Sequence, residues 1–208
     1  MFGLSKEELA ILKRLSTPNK IQDFLDTLAF NYERRGETCM SPKMVLSAGK
    51  AHCLEGALFA AAALWLQGES PLLLNLETLD IDDDHALALF KRNGCWGAIS
   101  KTNHGVLRFR DPIYRTSREL VLSYFHEYFM ADTGQKTLRA YSRPFSLKRF
   151  GTEWITSEEN LWDIAHALDE STHFHIVPKN YVKHLRPPSQ VERTAGSIAE
   201  WDKKNPRT

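Results

Sequence analysis

The chain has 208 residues, enough for one domain with a real core, and its 42% hydrophobic and 25% charged residues are ordinary for a globular protein. A formal net charge of +1 gives no bulk attraction for nucleic acid or an acidic membrane surface. Three cysteines, Cys39, Cys53 and Cys95, argue against a disulfide framework, and the longest apolar run, Ala57 to Leu66, falls far short of the roughly 20 residues that span a bilayer. With an N-terminus that reaches Lys6-Glu7-Glu8 at once and lacks signal-peptide order, the expectation is a cytoplasmic protein with neither nucleic-acid nor membrane partners.

The first third reads as helical. Ser5 and Glu8 form a capping box, with Leu4 placed to staple onto Leu9. Thr17-Pro18 sets a second helix start, and Ile21, Phe24, Leu25, Leu28 and Tyr32 predict one apolar face stopped by Gly36. Ser41-Pro42 opens a short helical turn leading to Gly49. Cys53 to Gln67 is rich in alanine and leucine, ends at Gly68, and is apolar nearly all round, which predicts a buried central helix.

The period then changes. Leu72 to Glu77 reads as a strand; His85 to Lys91 and Cys95 to Lys101 flank Asn93-Gly94, a hairpin signal. A two-residue turn there puts His85 opposite Thr102, with Ser100 on the same face. Further expectations are a strand over Val106 to Arg110, a helix over Ser117 to Phe129, a helix capped by Thr156 and Glu159 running to Leu168, and a strand over Phe174 to Val177. The fold class is α+β: N-terminal helices with a buried central helix packed on an antiparallel sheet. Residues 1–186 are expected as one domain. Residues 187–208 are expected to form a polar, loosely attached tail, in which Val191 to Trp201 could form a helix.

The chemistry centres on Cys53. A helix N-terminus favours thiolate over thiol, and its N–H groups suit an oxyanion. A thiolate needs a histidine from another element, and His85 opens a strand two elements later. Free cysteines are also common inert core residues. His52 is expected either in the cleft or facing solvent. His173 and His175 share a strand face but have no neighbouring cysteine or carboxylate at ligand spacing, and Asp82-Asp83-Asp84 before His85 could bind a cation but reads more simply as a solvated loop, so no metal or cofactor is expected.

The segment from Gly49-Lys50-Ala51-His52-Cys53-Leu54-Glu55-Gly56 through the alanine-rich run to Gly68 resembles the nucleophile segment of the transglutaminase-like superfamily, a papain-type fold. His85-Ala86-Leu87-Ala88-Leu89-Phe90 with Gly94-Cys95-Trp96 resembles its histidine strand, turn and tryptophan strand. The resemblance spans roughly Ile21 to Thr102. It implies Cys53 as nucleophile and His85 as general acid/base, acting on a peptide, amide or acyl substrate through a thioester. Hydrolysis and acyl transfer are both open. Where the family carries an aspartate, four residues after the tryptophan, this chain has Ser100; Asn103 and Asp111 (in Asp111-Pro112) are the alternatives for the third member. The serine also supports a different class of reading, a catalytically degenerate module that binds a partner protein. A zinc hydrolase using His173 and His175 is the remaining alternative.

Overall fold

The structure, a computed structural model, describes residues 2–200. The N-terminal elements are α1 (Lys6–Arg14), α2 (Pro18–Thr27), β1 (Ala29–Phe30), α3 (Pro42–Ala48), β2 (Lys50–Ala51) and α4 (Cys53–Leu66). Strands β3 (Leu72–Glu77), β4 (His85–Arg92), β5 (Cys95–Ile99) and β6 (Arg110–Tyr114) follow, then α5 (Ser117–Leu122), β7 (Ala140–Ser142), β8 (Phe145–Ser146), α6 (Trp162–Asp169), β9 (His173–His175) and α7 (Gln190–Gly196). The architecture is α+β. The main sheet is antiparallel in the order β6-β5-β4-β3-β7-β9, with β8 also on β3; β1 and β2 make a separate two-residue parallel pair.

Local signals set most helix starts. Ser5 and Glu8 bond reciprocally at α1, Thr17 caps α2 with Pro18 behind it, and Ser41 caps α3, which closes on Gly49 at φ 63°. Helix α4 is buried without a break from Glu55 to Leu64. It lies on one face of the sheet, where Leu73, Ala86, Ala88, Phe90 and Ile99 join a core with α1 to α4. The alternate residues Leu74, Leu76, Leu87, Leu89 and Ala98 build a second core on the other face with Leu120, Val121, Tyr124 and Tyr128. Period-two alternation of the strands thus serves two layers at once.

The hairpin register is the expected one. Asn93 and Gly94 take φ 51° and 81°, both positive as a type I′ turn requires, and Arg92 pairs with Cys95 while Ala88 pairs with Ile99. Just beyond β5, Lys101 runs so close to α4 that a Cβ on Gly56 would lie 2.4 Å from Lys101 Cβ.

Several boundaries differ from the sequence expectation. Helix α2 stops at Thr27 and does not run on to Gly36, because the buried Lys101 ammonium donates to Leu25 O (2.9 Å) and Leu28 O (2.6 Å) and so caps the helix from outside. The chain then extends to pair Ala29 with Lys50. The strand expected over Val106 to Arg110 forms at Arg110–Tyr114 instead, after an irregular loop in which Leu107 sits at φ 59°. Helix α5 ends at Leu122 and not Phe129: the Arg110 guanidinium donates to Ser123 O and Ser123 Oγ, and Glu127 turns back to pair with Arg110 at 2.5 Å. Thr156 caps no helix; Ser157 and Glu159 close a local turn, and α6 starts at Trp162. The late strand falls at His173–His175, one residue ahead of Phe174.

The C-terminal segment is tied down. Helix α7 is held by Arg193 Nε donating to Ala131 O (2.8 Å), and beyond it Gly105 N–H donates to Ile198 O (2.7 Å) and Glu200 N–H to Asn103 O (2.6 Å). The helical expectation at Trp201 lies outside the described residues. Among the described residues no helix is long and apolar enough to cross a membrane.

The Gly56 contact yields a first expectation. In Gly56→Ala the new methyl meets a Cβ fixed close to the backbone, so either α4 or the residues after β5 must shift. Thermal or denaturant unfolding should show a loss of about 1–3 kcal/mol, even though alanine is intrinsically the better helix former. Unchanged or raised stability would mean that the α4–Lys101 contact is looser than described.

Candidate active site

The site assembles where the N-terminus of α4 meets the end of the sheet at which β4 begins. Cys53 is the first residue of α4, partly exposed, with its Sγ 4.0 Å from Asp84 O. It opens on a cleft of about 360 Å³ lined by residues that include His52, His85, Asn103 and Tyr128. His85 is buried, 6% exposed, at the start of β4.

Two histidines act on the thiol. Burial alone would raise its pKa, but hydrogen bonding from His52 and His85 and the charge of both rings outweigh this and bring Cys53 down to about 5. His52 is the N-cap of α4. Its Nδ1 accepts from Leu54 N–H at 3.3 Å, and its Nε2 donates to Thr38 O at 2.9 Å. Burial pushes His52 down, while Cys53 first and then Glu55 push it up, to about 9. Cys39 is the contrast. It is fully buried with Glu55 nearby, and burial followed by that charge pushes its thiol up to about 12.

The far side of His85 is set by Ser100. His85 Nε2 lies 2.7 Å from Ser100 Oγ, and Ser100 Oγ lies 2.5 Å from Leu107 O. A carbonyl only accepts, so the single hydroxyl proton belongs to Leu107 O. Ser100 must then accept from His85 Nε2–H, which leaves Nδ1 with its lone pair as the nitrogen free to take a proton. Leu107 holds this carbonyl in place from a left-handed backbone conformation, with its N–H donating to Glu127 Oε2 at 2.7 Å. Arg110 in turn pins Glu127 from the other carboxylate oxygen.

Of the residues singled out from sequence, the structure thus brings Cys53, His85 and Ser100 together. Asn103 also lines the cleft, and its backbone carbonyl accepts from Glu200 N–H. Asp111 is exposed on β6 and is absent from the cleft wall. Asp84 spends its carboxylate on Asn75 Nδ2 (3.0 Å) and Thr78 N–H (2.8 Å), bracing the turn before His85. His173 and His175 sit on the edge strand β9, and among the described residues no group of three His, Cys, Asp or Glu is placed to hold a metal.

Sequence reasoning missed the support of the cysteine. Glu55 is fully buried in the first turn of α4 and accepts from His52 N–H (2.9 Å), Thr38 Oγ1 (2.8 Å), Met40 N–H (3.0 Å) and Asn31 Nδ2 (3.1 Å). The signal was present as a capping-box glutamate three residues after His52. Tyr128 and Leu107 left no such trace.

No protein-family model matches the chain, and no curated protein matches it.

Two outcomes follow. With a thiolate already present above about pH 5, Cys53 should alkylate with iodoacetamide at pH 6 while Cys39 stays unmodified; mass spectrometry of limited labelling locates the adduct. Labelling of Cys53 that rises only near pH 8–9 would contradict the two-histidine arrangement. Second, Glu55→Ala strands four donors around the helix start and should cost about 3 kcal/mol or more in unfolding experiments, with Glu55→Gln milder because it keeps the acceptor oxygen.

Proposed function

We propose that the protein is a cysteine-nucleophile hydrolase or acyltransferase of papain and transglutaminase-like type, acting on a peptide, amide or acyl carbonyl. The observation that carries this reading is the thiol at the first position of α4, lowered to about 5 beside a histidine whose other nitrogen is fixed by Ser100. Inert core cysteines have neither feature; Cys39, pushed the other way, is one of them.

The chemistry proceeds in two halves. His85 Nδ1 holds the proton taken from Cys53, and the thiolate attacks the carbonyl carbon, forming the C–S bond and an oxyanion. The first N–H of α4 has no partner within the helix and is oriented by the helix dipole, so it is a natural donor to that oxyanion. The His85 imidazolium returns its proton to the leaving nitrogen or oxygen as that bond breaks, which leaves a thioester. Water or an amine then gives a proton to His85 and attacks, the C–S bond breaks, and the thiolate is restored.

Ser100 does part of the work an aspartate would do. It orients the ring and selects the tautomer through Leu107 O, but a neutral hydroxyl stabilises imidazolium less than a carboxylate does. That same observation favours the second reading, a degenerate module that binds a partner through the cleft. An ester substrate separates the two. With p-nitrophenyl acetate, the wild-type protein should release p-nitrophenol and carry an acetyl group on Cys53. Cys53→Ser and His85→Ala should abolish both, Ser100→Ala should lower the rate about 10-fold or more, and Asp111→Asn should change it little. Absence of Cys53 acylation in the folded wild-type protein would remove the catalytic reading in favour of binding.

A further inference from the structure

Tyr128 stands out from every other tyrosine packed near the site. Its ring is fixed in the second core with Leu120, Val121, Tyr124 and Leu138, and the residue is only 3% exposed. Its backbone is held as well, since Thr137 N–H donates to Tyr128 O at 3.2 Å. Yet its hydroxyl is buried with no hydrogen-bond partner. Tyr124, four residues earlier and buried in the same core, donates its hydroxyl to Arg108 O at 2.9 Å. The fold therefore satisfies one buried phenol and leaves its neighbour open.

An unmet buried donor costs about 1–3 kcal/mol, so it calls for a partner from outside the chain. Three buried side-chain polar atoms lack a partner among the described residues, at Tyr128, Ser171 and His173, and only Tyr128 belongs to the wall of the cleft that holds Cys53 and His85. Tyr128 shares that wall with Asp82 and Asp84 as well as with Cys53 and His85. Burial first, and then the negative charges of Cys53, Asp82 and Asp84, keep the phenol protonated, so its proton is available for donation at working pH.

We propose that Tyr128 is a catalytic residue whose hydroxyl donates a hydrogen bond to the carbonyl oxygen of the substrate as it becomes an oxyanion on Cys53. No bond to Tyr128 is made or broken; its proton stays on the phenol while negative charge gathers on the substrate oxygen and then returns to the carbonyl. The inference rests on the acyl-accepting role of Cys53, and it adds a side-chain donor to the single backbone N–H of α4.

Two reagents separate this role from simple support of the thiolate. Iodoacetamide alkylates sulfur by displacement and builds no oxyanion; p-nitrophenyl acetate acylates it through one. In Tyr128→Phe, a change that keeps the ring and its packing, the rate of Cys53 acetylation should fall about 10- to 100-fold, in line with loss of one oxyanion donor. The rate and pH profile of iodoacetamide alkylation should be unchanged, and the unfolding midpoint should hold or rise because the orphan hydroxyl is gone. Tyr124→Phe, which removes a satisfied hydroxyl from the same core, should leave the acetylation-to-alkylation ratio unaltered. Equal acetylation by Tyr128→Phe and wild type would overturn the proposal. So would a parallel fall in both reactions with the alkylation profile moved to higher pH, which would assign the hydroxyl to the thiolate. If wild-type Cys53 alkylates but never acetylates, the hydrolase reading itself fails, and this inference with it.

Discussion

A single buried carboxylate decides whether the site exists. Glu55 has no exposure, and an unpaired charge in that position would be prohibitively unstable. It is tolerated because it lies in the first turn of α4, where the helix dipole favours negative charge, and because four donors from residues 31, 38, 40 and 52 converge on it. Three of those donors, at residues 31, 38 and 40, come from the irregular segment between β1 and α3, and the fourth is the cap residue His52. The same carboxylate thereby pins that segment against the helix start, fixes His52 as the cap, and sets the position of Cys53. The loop carries few regular hydrogen bonds of its own, so this convergence takes the place of secondary structure there.

The second constraint is close packing between α4 and the strands. Gly56, Ala86 and Ala88 keep the helix low over the sheet, and Lys101 reaches past the helix to cap α2. A low helix brings its N-terminus to the start of β4, where His85 follows Asp84. The orienting group then follows from the hairpin. A rigid I′ turn carries the register from Arg92–Cys95 down to the site, and Ser100 arrives beside His85 without an adjustable loop.

Ser100 orients His85 without a charge. Its hydroxyl has one proton, and Leu107 O claims it, so the imidazole is offered acceptance only. His52, the residue before Cys53, also helps hold the thiol as thiolate. The pair Cys53–His52 is adjacent in sequence and the pair Cys53–His85 is distant, yet both contribute to the same low pKa.

What the sequence determined by itself was set by neighbours along the chain. Caps at Ser5, Thr17 and Ser41, the all-apolar run of α4, the Asn93-Gly94 turn and the strand alternation are short-range features, and each appears where its residues predict it. The hairpin register, and with it the pairing of Ser100 with His85, was legible because a two-residue turn transmits position rigidly. Only the tertiary structure decided the rest. Helices α2 and α5 end early because Lys101, far along the chain, and Arg110, on the strand before α5, take carbonyls at their C-terminal ends, and no local periodicity records that. The C-terminal segment reads as loose by composition but is held by backbone bonds to residues 103 and 105. Glu55 meets Asn31 across 24 residues, and Tyr128 reaches the cleft from the opposite core. Such contacts depend on how layers pack in three dimensions, and a linear pattern carries no term for them.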